Sequence, residues 1–225
     1  MKGQPSAETL QKIYRKLSAV FGPQHWWPGE TPFEVIVGAI LTQNTAWTNA
    51  AAAIENLKRE RLLAPSALKK IPVGRLARLI RSSGYFNQKA RRLKSFVSYL
   101  NDSYQGDLQK MRRVSLARLR NQLLGIFGIG PETADSILLY AGGHASFVID
   151  AYTRRIFARH RWCGAAATYD ELRELCQSAL NEKSTVHRLD YWQDYHAQLV
   201  IIGKEFCRPR NPRCDVCPLN PLLPK

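Results

Sequence analysis

The chain has 225 residues, 45% of them hydrophobic, and carries 33 Lys and Arg against 18 Asp and Glu, a formal net charge of +15. That length buries a full core as one large domain or two small ones and excludes a disulfide-stapled miniprotein. No run approaches the roughly 18 apolar residues of a bilayer span, and the start, MKGQPSAETLQK, lacks the apolar stretch of a secretory signal.

A cytoplasmic protein with a polyanionic partner is therefore expected, its five cysteines being thiols or metal ligands rather than disulfides. The charge is concentrated: residues 69–120 hold fourteen basic and two acidic side chains, a local net of +12. Solvated helix faces are the plain meaning of any one basic run, but over 52 residues of apolar-periodic sequence the excess favours nucleic acid.

In chain order, Leu10, Ile13, Tyr14, Leu17, Val20 and Phe21 recur at helical spacing between a Ser6 cap and Gly22. TPFEVIVGAIL follows with Thr31 as cap and Pro32 at the first helical position; SALKKI starts a helix at Ser66, and SLARLRNQLLGI starts one at Ser115. Gly84 precedes YFNQKARRLKSFVSYL, Gly164 precedes TYDELRELCQSALN, and DYWQDYHAQLVIIGKEF gives way at Cys207 to a tail rich in proline and cysteine. No alternating strand run and no Asn-Gly hairpin signal occurs, so the fold class is all-α with short connections.

Between SLARLRNQLLGI and the next helical run lies GIGPETA, residues 128–134. Gly128 and Gly130 permit positive φ, and Pro131 in the first turn leaves free amides pointing outward, a cradle suited to an anion. A plain turn is the commoner meaning of such a hairpin. Eighteen residues after Glu132, in SFVIDAYTRRIF, Asp150 follows three apolar residues and caps a new helix.

This combination, together with GAILTQNTAW, GYFNQKARRL and CRPRNPRCDVC in the same order, resembles the endonuclease III superfamily of DNA glycosylases from about residue 5 to 220. The resemblance implies a two-lobed helical fold. Residues 23–134 would form a six-helix barrel lobe with the helix-hairpin-helix; residues 1–22 and 135–225 would form a terminal lobe with the cysteine loop. DNA would lie in the cleft between the lobes, phosphates on the Gly128 to Gly130 amides with Thr133 beside them, and the target base turned out of the duplex.

Superfamily members that cut the strand carry a lysine in the hairpin, GxGxKTA, where this chain has Glu132. A carboxylate forms no Schiff base, so β-elimination is expected to be absent, and Glu132 either complements the helix dipole or takes part in chemistry. Asp150 is then the principal catalytic candidate beside its simpler meaning as a helix cap.

PQHWWPGETPFEVIVGAILTQNTAW and GIGPETADSILLYA are most similar to the 3-methyladenine glycosylases of the endonuclease III type. That implies hydrolysis of alkylated purines stacked on Trp26, Trp27 and Trp47, Trp47 before the other two, the competing reading being that some of them are ordinary core residues. Gln43 would fill the hole left by the base, Tyr85 would wedge the stack, and Lys89, Arg91, Arg92 and Arg210 would meet phosphates. The partner implied is duplex DNA with a damaged base, bound by a monomer. Rival readings are a glycosylase for oxidised pyrimidines or mismatched bases, and a non-catalytic binder of damaged DNA.

The family's iron-sulfur loop reads C-x6-C-x2-C-x5-C. Cys207, Cys214 and Cys217 match it and Leu223 occupies the fourth position; three cysteines in register favour an iron-sulfur cluster with another fourth ligand over a zinc site or a loop held by packing.

Overall fold

The computed structural model describes residues 5–24, 26, 29–164, 166–181 and 185–224. Among them the secondary structure is helical throughout, with no strand. None of these helices is long and apolar enough to cross a membrane. The chain divides into an internal unit, Trp27–His144, and a terminal unit made of Met1–Trp26 and Ala145–Lys225.

The terminal unit begins with α1 (Ala7–Phe21), capped by Ser6, whose hydroxyl accepts from Thr9 N, and ended at Gly22. The internal unit is built around α2 (Pro32–Leu41), which is apolar on every face and buried on every face after its leading proline. Its one acid, Glu34, is buried against Lys58 at 2.9 Å. Around α2 come α3 (Trp47–Arg59), α4 (Pro65–Lys70), α5 (Val73–Leu79), α6 (Phe86–Tyr104), α7 (Leu108–Arg112), α8 (Leu116–Leu124) and α9 (Pro131–Ile137). A single π-helical turn, Leu138–Gly142, continues α9 and packs with it on α2.

The fourth helix corrects an expected boundary. It starts one residue earlier than Ser66, with Ala64 as cap and Pro65 at the first position, because the fixed φ of proline suits a first turn and its missing N–H costs nothing there.

The rest of the terminal unit comprises α10 (Ala151–Arg159), α11 (Tyr169–Ala179) and α12 (Thr185–Glu205). A full capping box opens α11: Thr168 Oγ1 accepts from Glu171 N, and Glu171 accepts from Thr168 N at 2.7 Å. The apolar run Phe147, Val148 and Ile149 that leads into α10 is buried, with Phe147 edge-on to Trp192 and Tyr195. It pins the backbone immediately before Asp150.

Candidate nucleic-acid interface and glycosylase site

In the hairpin, α8 and α9 are joined by residues 125–130 and clamped by a buried ion pair. Arg120 Nε and Nη2 donate to the two carboxylate oxygens of Asp135 at 2.9 and 3.1 Å, a planar fork that fixes the angle between the helices. Gly128 takes φ +80°, and a Cβ there would lie 2.3 Å from Arg92 Cγ. Gly130 is different: its φ is −91°, open to any residue, and nothing stands within 4 Å of an added Cβ, so its value is a bare backbone at the surface. Glu132 is exposed in the first turn of α9. Phe127, 62% exposed beside Gly128, was not anticipated; its only sequence signal is a large apolar residue in a glycine-rich tip.

Gln43, in the turn after α2, is tied to this hairpin. Its Nε2 donates to Gly128 O at 3.0 Å and to Thr133 Oγ1 at 2.8 Å, while Arg92 Nη1 donates to its Oε1. The structure thus brings Gln43, Gly128 and Thr133 together and adds Arg92. Arg92 was expected to reach a phosphate, but its guanidinium holds the Gln43 amide and its stem fills the space above Gly128. Gly128→Ala is expected to cost about 1–3 kcal/mol in urea denaturation, from left-handed strain and the collision with Arg92, and to weaken DNA binding in the same variant.

Tyr85 is 67% exposed and sits in the left-handed region, φ 45°, immediately before α6. A β-carbon in that conformation is strained, and the turn projects the ring outward at the head of the basic helix. Lys89 requires a correction. It is 0% exposed, and its Nζ donates to Leu41 O at 2.8 Å and Ser83 O at 2.6 Å, so it ties the turn before α6 to the end of α2 and meets no phosphate. Burial, with some help from Arg92, lowers its pKa to about 8; a neutral amine still has both donors it needs. Arg91 and Arg210 are exposed. Trp47, partly buried, opens α3 and packs against the core of the internal unit. Trp27 lies outside the described residues.

In the terminal unit Asp150 caps α10, its Oδ1 accepting from Thr153 N at 2.7 Å. The Asp150 side chain is 12% exposed. Burial pushes its pKa up, but His196 beside it and the Thr153 bonds outweigh that, so the net effect holds it below the ordinary carboxylate value and ionised at neutral pH. Trp26 lies in the same unit, its ring centroid 5.9 Å from that of His196.

Three of the five cysteines share one cavity. Cys207, Cys214, Cys217 and Leu223 line it together with Arg159 and His160. Arg159 Nη1 donates to Cys207 Sγ at 3.0 Å, and His160 Nδ1 lies 3.1 Å from Leu222 O. The set is one thiolate short of the four that a cubane takes, and among the described residues no three His, Cys, Asp or Glu side chains are placed to hold a metal ion. As arranged, the described residues do not complete a cluster site. Arg155 and Arg159 fasten the loop to α10 through the carbonyls of Cys207 and Arg208, and Arg155 also reaches Gly203 O on α12.

Residues 37–182 match the model of the HhH-GPD superfamily of base excision DNA repair proteins. The chain belongs to that superfamily. Its endonuclease III type follows from relatives along the whole length. A Methanocaldococcus jannaschii protein, itself named a DNA repair glycosylase by inference, is 44% identical over 95% of this chain and 94% of its own. Endonuclease III of Thermotoga maritima is 28% identical over 92% and 89%.

Among solved structures, the 3-methyladenine DNA glycosylase of H. pylori bound to 1,N6-ethenoadenine superposes with a TM-score of 0.77 at 28% identity, covering 89% of this chain and 98% of that one. A trapped endonuclease III–DNA covalent intermediate gives 0.80 at 21% identity, covering 96% and 95%, which speaks for the fold. The HhH-GPD protein is accordingly a DNA glycosylase of base excision repair with the all-α two-lobed fold of its superfamily, and DNA is its partner.

Proposed function

We propose that this HhH-GPD protein is a monofunctional glycosylase that hydrolyses the N-glycosidic bond of alkylated purines such as 3-methyladenine and leaves an intact abasic strand. The observation that carries the monofunctional reading is Glu132. An exposed carboxylate stands at the start of α9 where strand-cutting members of the superfamily present an amine, and a carboxylate cannot attack C1′ to give an imine.

The chemistry then falls to Asp150. A purine methylated on the ring carries positive charge, so it departs with the glycosidic electron pair as a neutral base and leaves an oxocarbenium-like sugar. An ionised carboxylate stabilises that cation and directs water to C1′; the water proton passes to the carboxylate or to solvent. Little acid catalysis is needed, and selection can rest on stacking a cationic ring against tryptophan, the role proposed for Trp26 and Trp47. The hairpin amides take the phosphates, Tyr85 enters the stack, and Arg91 and Arg210 add salt-sensitive backbone contacts. The likeness to the H. pylori enzyme supports the alkylated-purine class.

The test is incubation with methylated duplex DNA and with duplexes bearing an oxidised pyrimidine or a mismatch. Free methylated purine is expected in solution, with strand breaks only after alkali and no covalent adduct trapped by borohydride. Nicking without alkali overturns the monofunctional reading, and release only from the other duplexes overturns the substrate class.

A further inference from the structure

The two oxygens of Asp150 have different neighbours. Oδ1 is engaged by Thr153 N in the helix cap, while Oδ2 faces the imidazole of His196, Nε2 to Oδ2 3.5 Å. The oxygen free to serve a sugar is thus Oδ2, and His196 is the side chain at its shoulder. On its other side the imidazole meets Trp26 at a 43° tilt.

His196 does not depend on a mobile chain for its place. Two residues before it on α12, Asp194 accepts from Gln24 N at 2.6 Å and Tyr14 Oη at 2.9 Å; one residue before, Tyr195 Oη donates to Leu10 O at 2.7 Å; two residues after, Gln198 Nε2 donates to Gly22 O at 2.7 Å. These bonds sew α12 to α1 and to the segment leading to Trp26 on both sides of the imidazole. The side chain itself is 5% exposed.

We propose that His196 is a positioning residue for the glycosylase reaction, orienting Asp150 Oδ2 and seating Trp26 beside it. The proposal rests on the reading of Asp150 as the carboxylate that serves the sugar. Its physical basis is that a buried carboxylate with one oxygen engaged in a helix cap needs a donor at the other oxygen to stay ionised and in one rotamer.

Among the remaining titratable groups, Tyr152 feels the Asp150 charge, which after burial is a cause of its raised pKa; the others are engaged elsewhere. On α10, Tyr152 stacks under Arg155, and Arg155 is engaged with the carbonyls of Cys207 and Gly203. On α12, Asp194 and Tyr195 are bonded as above, and from α1 Tyr14 points to Asp194.

Two variants separate positioning from packing. His196→Phe keeps a ring for Trp26 and removes the donor; His196→Gln keeps an N–H at a similar reach. Single-turnover release of free base from methylated duplex DNA is expected to fall about tenfold or more in His196→Phe, with half-saturation by DNA within about threefold, and to return to within about fivefold of wild type in His196→Gln. The acidic limb of the rate profile is expected to move to higher pH in His196→Phe, because burial is then opposed by the Thr153 bonds alone. In an Asp150→Asn background, His196→Phe is expected to add nothing.

A readout independent of activity is the ¹³C-carboxyl titration of Asp150, whose midpoint is expected to rise in His196→Phe. An unmoved midpoint, or equal losses in the Phe and Gln variants, overturns the proposal. Absence of base release by the wild type, with the midpoint still raised, sinks the substrate reading and leaves the positioning role standing.

Discussion

Asp150→Asn is expected to lower base release from methylated duplex DNA by about a hundred- to a thousandfold, the usual loss when a group aimed at developing charge is removed. The expectation is sharp because the substitution separates the two duties of this residue. As a cap, the side chain needs one acceptor for Thr153 N, and asparagine supplies it as well as aspartate does. As a partner for an oxocarbenium-like sugar it needs a full negative charge, which asparagine lacks.

The folded protein is therefore expected to keep its thermal midpoint and its affinity for DNA while losing turnover, measured by calorimetry, by fluorescence anisotropy with a methylated duplex and by single-turnover base release. Loss of stability together with activity would show the residue to be a cap alone. Retained base release would take the chemistry away from Asp150, whereas absence of release by the wild type, with binding to DNA intact, would return the protein to the class of damaged-DNA binders. The pH dependence follows from the same carboxylate. Since its folded pKa lies below the ordinary value, activity is expected to be flat above that value and to fall only as acid protonates the folded-state group.

What the sequence disclosed depended on how far apart the interacting residues are. Ser6, Thr31 with Pro32, and Asp150 could be read as helix starts because each cap bonds an amide three residues on, and all three act so in the structure. The hairpin was legible for the same reason, its glycines and proline being adjacent. Lys89 was misread because it lies in a run of basic residues whose average fate is the surface; its burial is decided by carbonyls of Leu41, 48 residues away, and of Ser83 at a turn with no apolar signature.

Gln43 carried a role by resemblance, yet its bonds to residues 85 and 90 positions further on, and the part of Arg92 in them, exist only once α2 and the hairpin are packed. His196 stands 46 residues from Asp150 in an apolar-looking helix. Nothing local marks it as different from a core histidine, and only the shared packing of α10 on α12 makes it a neighbour of the carboxylate.

The largest effect on stability is expected from Asp135→Ala. Asp135 is wholly buried and Arg120 mostly so, and removing one partner of a buried, hydrogen-bonded ion pair costs about 3–5 kcal/mol. Against a domain stability of about 5–15 kcal/mol, that is enough to shift the urea midpoint strongly.

The companion experiment is the double variant Arg120→Met with Asp135→Leu. Taking both charges away removes the desolvation burden as well as the attraction, and apolar side chains of similar volume are expected to restore most of the lost stability. They cannot restore the fork that sets α8 against α9, so the double variant is expected to fold yet bind duplex DNA more weakly than wild type. Recovery of both properties would mean that apolar packing alone orients the hairpin. Recovery of stability without affinity places the Arg120–Asp135 pair among the residues that shape the DNA-binding surface while touching no DNA themselves.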